Sequence, residues 1–157
     1  MHQGIKTASA ATADAVVTKT SAGLLAGAIV MTMEGELPIE HIAPGDRIIT
    51  RDTGVAVLKE MRIREEDAAC IRIKAGSLGH TRPDRDMVVA PDTLIHLRDW
   101  RAEALFGAKQ VLVKASRLAD GEFVAEQPKT RVKIYEMVFD KQHIIYADGV
   151  EMASASV

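Results

Sequence analysis

The stretch that decides the fold is GAIVMTMEGELPIEHIAPGDRIITRDTG, residues 27–54. Short runs of β-branched and apolar residues alternate here with residues that reverse the chain. Ala28 to Thr32 forms one run and is closed by Glu34-Gly35; Arg47 to Thr50 forms another and is closed by Asp52-Thr53-Gly54. Pro44-Gly45-Asp46 sets proline where a turn fixes φ and glycine where a turn needs positive φ, so a reversal is expected just before Arg47. Strands of about five residues joined by tight turns follow from this pattern.

Outward from this stretch the same punctuation continues. Val55 to Leu58 follows the Asp52-Thr53-Gly54 turn, and Ala69 to Lys74 alternates, with Ala69, Ile71 and Ile73 on one face and Cys70, Arg72 and Lys74 on the other. Met87 to Ala90, Thr93 to Leu97, Gln110 to Val113, Val132 to Phe139 and Ile144 to Tyr146 are further strands. Arg101 to Phe106 carries helix formers and stops at Gly107, and Ala115 to Leu118 reads as a second short helical turn. Many short strands with little helix imply an all-β domain with no βαβ unit. Residues 1–21, rich in Ala, Thr and Ser and without sustained periodicity, read as a flexible tail with a short helix over 8–17, and residues 22–157 as the domain.

The bulk numbers fit one domain. A chain of 157 residues, 47% hydrophobic and 27% charged, has the size and balance of a single globular core. Its 20 basic and 22 acidic residues create no field that would favour nucleic acid or an anionic membrane, so neither is expected as a partner. The longest apolar run, Ala22 to Met33, falls short of the ~20 residues needed to cross a bilayer. Leu24 and Leu25 follow Lys19 as in a signal-peptide core, but no small-residue cleavage site follows cleanly, and the cytoplasm is favoured over export. The single cysteine, Cys70, excludes an internal disulfide framework.

The order and spacing of Gly27, Thr32, Gly35, Pro38-Ile39-Glu40, Pro44-Gly45-Asp46 and Thr50 to Gly54 resemble the opening segment of Hint (hedgehog/intein) domains of the bacterial branch. Ile71 to Gly79 is similar to the family's second block, and Val88-Val89-Ala90-Pro91-Asp92 to its central strand and turn. Tyr135 to Asp140, His143 and Tyr146 to Gly149 are similar to its closing block. The resemblance spans residues 23–152 and implies a compact, horseshoe-like all-β fold. It also implies a chemistry, in which a Cys or Ser at the first domain position attacks the carbonyl before it, helped by a group that loosens the scissile amide.

Residue by residue, that chemistry is missing its parts. The first position corresponds to Gly23, which has no side chain to attack with. The hydroxyl residue and histidine of the central motif correspond to Ala90 and Thr93, and a threonine does not titrate near neutral pH. His143 alone matches a family position, with a turn-fixing role set against a catalytic one, and Ala153-Ser154 stands where splicing members carry His-Asn. The resemblance therefore implies a degenerate Hint domain, non-catalytic, acting as a structural or protein-interaction module whose partner is another protein. An alternative is self-cleavage through Ser21 or Thr20 with His96 or His143 as helper, and a weaker one is a small-ligand site in the emptied centre.

Other constellations carry less. Cys70 has no histidine near it in sequence to serve as a base. His80, Asp84 and Asp86 match no metal-ligand spacing, and Arg82 and Arg85 offer the carboxylates closer partners, so neither metal nor cofactor is expected. Trp100 and Arg101, read with the 80–86 loop, form a candidate recognition patch, set against a core or rim position for Trp100.

Overall fold

A computed structural model describes residues 6–7 and 20–157; the helix expected over 8–17 lies outside the described residues. In chain order the strands are β1 (Lys6–Thr7), β2 (Ile29–Thr32), β3 (Gly35–Pro38), β4 (Arg47–Thr50), β5 (Gly54–Val57), β6 (Glu60–Ala68), β7 (Ile71–Ile73), β8 (Met87–Val89) and β9 (Leu94–Leu97). The helix α1 (Trp100–Phe106) comes next, followed by β10 (Val111–Lys114), β11 (Val124–Glu126), β12 (Thr130–Phe139), β13 (Ile144–Ala147), β14 (Val150–Ala153) and β15 (Ala155–Ser156). Short 3-10 turns cover Ile39–His41 and Ala115–Leu118.

Among the described residues the largest sheet runs β1-β10-β9-β14-β13-β2-β4-β5, with β3 paired to β2. Two three-stranded sheets complete the fold, β11-β7-β8 and β15-β12-β6. Alternation along the strands turns Val30, Ile48, Ile71, Ile73, Val89, Ile95, Val113 and Phe139 into one continuous core. The turn before β4 forms as its residues require: Gly45 has φ +96, its N–H bonds Leu58 O at 2.8 Å, and Asp46 Oδ2 accepts from Ala43 N at 2.9 Å.

The structure adds what apolar alternation does not show. β6 carries the charge-rich sequence EMRIREEDA and is a strand because it pairs residue for residue with β12, from Glu60↔Val138 to Ala68↔Thr130. Cross-strand ion pairs from Glu136 to Arg62 (3.4 Å) and Arg64 (3.2 Å) line this long pair.

Two side chains singled out by the sequence have definite settings. Cys70 immediately precedes β7 and is buried, and burial together with the nearby Glu66 charge pushes its thiol up, away from thiolate. Trp100 is not a core residue: it is 67% exposed, because it opens α1 on the outer side while Ala102 faces the core.

Candidate functional site

Residues 20–24 enter the molecule between the β6–β12 pair and the turn leading into β9, and most of the polar backbone groups along them are engaged. Ser21 N donates to Asp92 Oδ2 at 2.8 Å and Ser21 O accepts from Asp92 N at 2.7 Å. The Ala22 carbonyl accepts from the Arg64 guanidinium at 3.0 Å. Gly23 N donates to Thr93 Oγ1 at 3.0 Å, the same hydroxyl donates to Gly23 O at 3.0 Å, and Ala90 N donates to Gly23 O at 3.1 Å. Leu24 then pairs with Tyr135 in both directions, at 2.9 and 2.8 Å.

Gly23, Ala90 and Thr93 are thus brought together around the Ala22–Gly23 peptide bond. Thr93 sits on its amide nitrogen and Arg64 on its carbonyl oxygen, so both ends of that bond are held. Position 23 itself has no side chain and little room for one. Gly23 has φ +139, and a Cβ placed on it would lie 2.6 Å from Ile134 Cγ2 and 2.6 Å from Tyr135 O. The second of these is backbone and cannot swing aside. Position 23 therefore accepts glycine for two independent reasons, conformation and contact.

A cavity of about 200 Å³ adjoins this bond, lined by Thr20, Gly23, Thr93, Gln142, Met152 and Ser154 among others. His143 does not line it. Its Nδ1 lies 3.0 Å from Asp52 Oδ2 and 3.2 Å from Thr53 Oγ1, its backbone N–H donates to Ser154 Oγ at 3.0 Å, and its ring meets Phe139 edge-on at 5.4 Å. His143 ties the 51–53 turn to the start of β13. Burial raises the Asp52 carboxyl, but the Ile144 N–H and His143 outweigh it and hold the group below its ordinary value.

His96 is elsewhere again. Its side chain is 1% exposed, with Nδ1 2.8 Å from Glu151 Oε1 and Nε2 2.9 Å from Gln110 Oε1. Arg98 binds the same Glu151 with two nitrogens, at 2.8 and 2.9 Å, and Arg51 approaches it at 3.6 Å. Burial opposes ionisation of Glu151, yet these hydrogen bonds and charges prevail and bring its pKa down to about 2. His96, Arg98 and Glu151 line a second, open cleft of about 460 Å³ with His80, Arg82 and Tyr146. Both ring nitrogens of His96 are engaged there, so as a helper for Ser21 it is not placed.

The remaining candidates are accounted for by their partners. Asp84 pairs with Arg82 at 2.7 Å and Asp86 with Arg72 at 2.6 Å, and no group of three or more ligating side chains occurs among the described residues. Arg101 stacks on Trp100 at 5.0 Å and reaches Leu78 O and Ser77 O at 3.1 and 3.2 Å, which joins α1 to the loop before Arg82. Arg64, Glu66 and Asp92 were not singled out by sequence; their signal, charge within a strand or turn, is shared by many solvent-facing residues.

Similarity to known proteins agrees with this architecture. The bacterial intein-like domain from Clostridium thermocellum superimposes with a TM-score of 0.58 at 19% identity, covering 87% of this chain and 99% of that one. A DnaB intein from Synechocystis sp. PCC 6803 gives 0.57 at 8% identity, with coverage of 86% and 99%. At such identities the likeness speaks for the fold alone. No curated protein matches the chain. The family model described as Hint domain matches residues 22–156, and the chain therefore belongs to the Hint domain family.

Proposed function

We propose that this Hint domain is a scaffold that does not process itself at the family's own junction, the Ala22–Gly23 bond, and that it serves as a structural or protein-interaction module. The observation that carries this reading is Gly23: a residue with no nucleophile, in a backbone conformation whose Cβ direction runs into Tyr135 O at 2.6 Å. Attack on the Ala22 carbonyl would need an atom that the position neither has nor can accept. Thr93 supports the same reading, since its hydroxyl holds the junction amide by hydrogen bonding without supplying a proton near neutral pH. In this reading residues 22–157 are the working unit, residues 1–21 precede it, and no metal or cofactor takes part.

For the interaction role, the exposed Trp100 with Arg101 stacked on it is the proposed contact with a partner protein, because Trp and Arg are the side chains that most often anchor interfaces. The ligand reading of the emptied centre is less well supported. A cavity of about 200 Å³ lies below the ~300–1,000 Å³ of small-molecule sites.

The test is the intact mass of freshly purified protein incubated with and without thiol. The scaffold reading expects no polypeptide that begins at Gly23; its appearance would refute the reading.

A further inference from the structure

The cleft of about 460 Å³ lies at the opposite end of β9 from the Ala22–Gly23 junction: Thr93, which clasps the junction, precedes the strand, and Arg98, which lines the cleft, follows it. Strand pairing builds one wall. Tyr146 stands directly across from Glu151 in the β13–β14 ladder, and Glu151 holds Arg98 through Nε at 2.9 Å and Nη2 at 2.8 Å, so Tyr146 and Arg98 flank one carboxylate. The β14–β9 register, with Met152 opposite Ile95, continues to set Gly149 across from Arg98. Arg82 closes the cleft from the other side. Its guanidinium lies against Gly149, where an added Cβ would strike Nη1, so the two arginines meet over the β13–β14 turn. His80 completes the rim, on a loop where it and Thr81 hold left-handed φ values of +51 and +58, a strained conformation of the kind that gathers at ligand clamps.

The hydrogen-bonding groups of this cleft do not balance. Both carboxylates that line it are occupied: Glu151 by His96, Arg98 and Arg51, and Asp99 by Arg101 Nη1 at 2.6 Å and Arg101 N at 2.9 Å. The donors are not. Arg82 gives Nη1 to Asp84 at 2.7 Å, and its Nε and Nη2, the parallel pair of a guanidinium fork, have no partner among the described residues. The same holds for Arg98 Nη1, the Tyr146 hydroxyl and the His80 ring. A cavity with free cationic donors and no free carboxylate is complementary to an anion.

We propose that this cleft binds a phosphate monoester, held by Arg82 and Arg98, with Tyr146 and His80 completing its hydrogen bonds. The inference goes beyond the scaffold reading and uses none of the residues at the junction. Arginine matches phosphate oxygens through paired N–H groups, and three charged oxygens suit four donor side chains better than the two of a carboxylate. The volume falls within the ~300–1,000 Å³ of small-molecule sites and exceeds what the phosphate fills, and the Leu78 side chain and Tyr146 ring offer apolar surface to the esterified group.

The experiment titrates phenyl phosphate into the isotopically labelled full chain and follows the backbone amide resonances, with benzoate and phenol as matched probes. Saturating shifts are expected at residues 79–82, 97–98 and 146–151 with phenyl phosphate, weaker binding with benzoate and none with phenol. Arg82→Gln is expected to weaken phenyl phosphate binding by roughly tenfold or more, and Tyr146→Phe, which removes only a hydroxyl, by about threefold. The second variant keeps the test decisive should Arg82→Gln disturb the 78–82 loop, which its own spectrum shows. Absence of saturable binding, saturation with shifts elsewhere, phenol or benzoate binding as tightly as phenyl phosphate, or unchanged affinity in both variants overturns the proposal. None of these outcomes alters the mass expected of the uncleaved chain, so the scaffold reading is tested separately.

Discussion

Thr93 closes a two-bond clasp on Gly23, accepting the glycine N–H and donating to the glycine carbonyl, each at 3.0 Å. The carbonyl has a second donor in Ala90 N, but the N–H has no other partner among the described residues. Thr93→Val keeps the side-chain shape and leaves that N–H without an acceptor in a sheltered site. The expected cost is about 1–3 kcal/mol in urea unfolding, with Thr93→Ser recovering most of it. An unchanged midpoint for Thr93→Val would show that the clasp contributes nothing.

Gly23 tolerates no side chain. Gly23→Ala combines a positive φ, which costs about 1–3 kcal/mol, with a contact to Tyr135 O that overpacking adds to by a similar amount, so a loss of roughly 2–5 kcal/mol is expected. Gly23→Cys carries the same penalty, and neither it nor Gly23→Cys combined with Thr93→His is expected to cleave at the junction. Denaturant titration and intact mass of each variant check both halves.

Glu151 makes stability depend on acid. Its folded pKa of about 2 lies below its ordinary value of 4.5, so its contribution is fully present above that ordinary value and is lost as pH falls through the folded one. Between about pH 5 and pH 2 the wild type is expected to lose stability with a slope from this residue approaching one proton, and Glu151→Gln is expected to flatten it. Equal slopes in the two proteins would contradict the assignment of His96 and Arg98 as its partners.

The exposed end of α1 separates stability from recognition. Trp100→Ala is expected to change stability by no more than about 0.5 kcal/mol, because the side chain is 67% exposed. Arg101→Ala removes bonds to Asp99, Leu78 O and Ser77 O and is expected to cost about 1–2 kcal/mol. In a pull-down, the protein captured by the wild type is expected to be lost with Trp100→Ala; undiminished capture would remove this face from the account.

The fold was most legible where turn chemistry and alternation coincide. β4 occupies the four residues expected from Pro44-Gly45-Asp46 onward, and α1 ends at Gly107 in the left-handed conformation its sequence implied. β6 was illegible because its residues face solvent or other charges, and only pairing with β12 makes it a strand. β14 did carry a period of two, with Val150 and Met152 buried, but it follows a turn in a segment of only four residues. The triad Gly23, Ala90 and Thr93 came from resemblance and the geometry brings it together. Arg64, Glu66 and Asp92 lie 42 to 71 residues from the peptide they hold, a distance that no local pattern spans.

The central claim, that the Ala22–Gly23 junction is held and not cut, is tested most directly by fusing a folded reporter ahead of Met1 and following the fusion by intact mass over time. The account expects no fragment with Gly23 at its N-terminus, with or without thiol. Steady accumulation of the 23–157 fragment would contradict it.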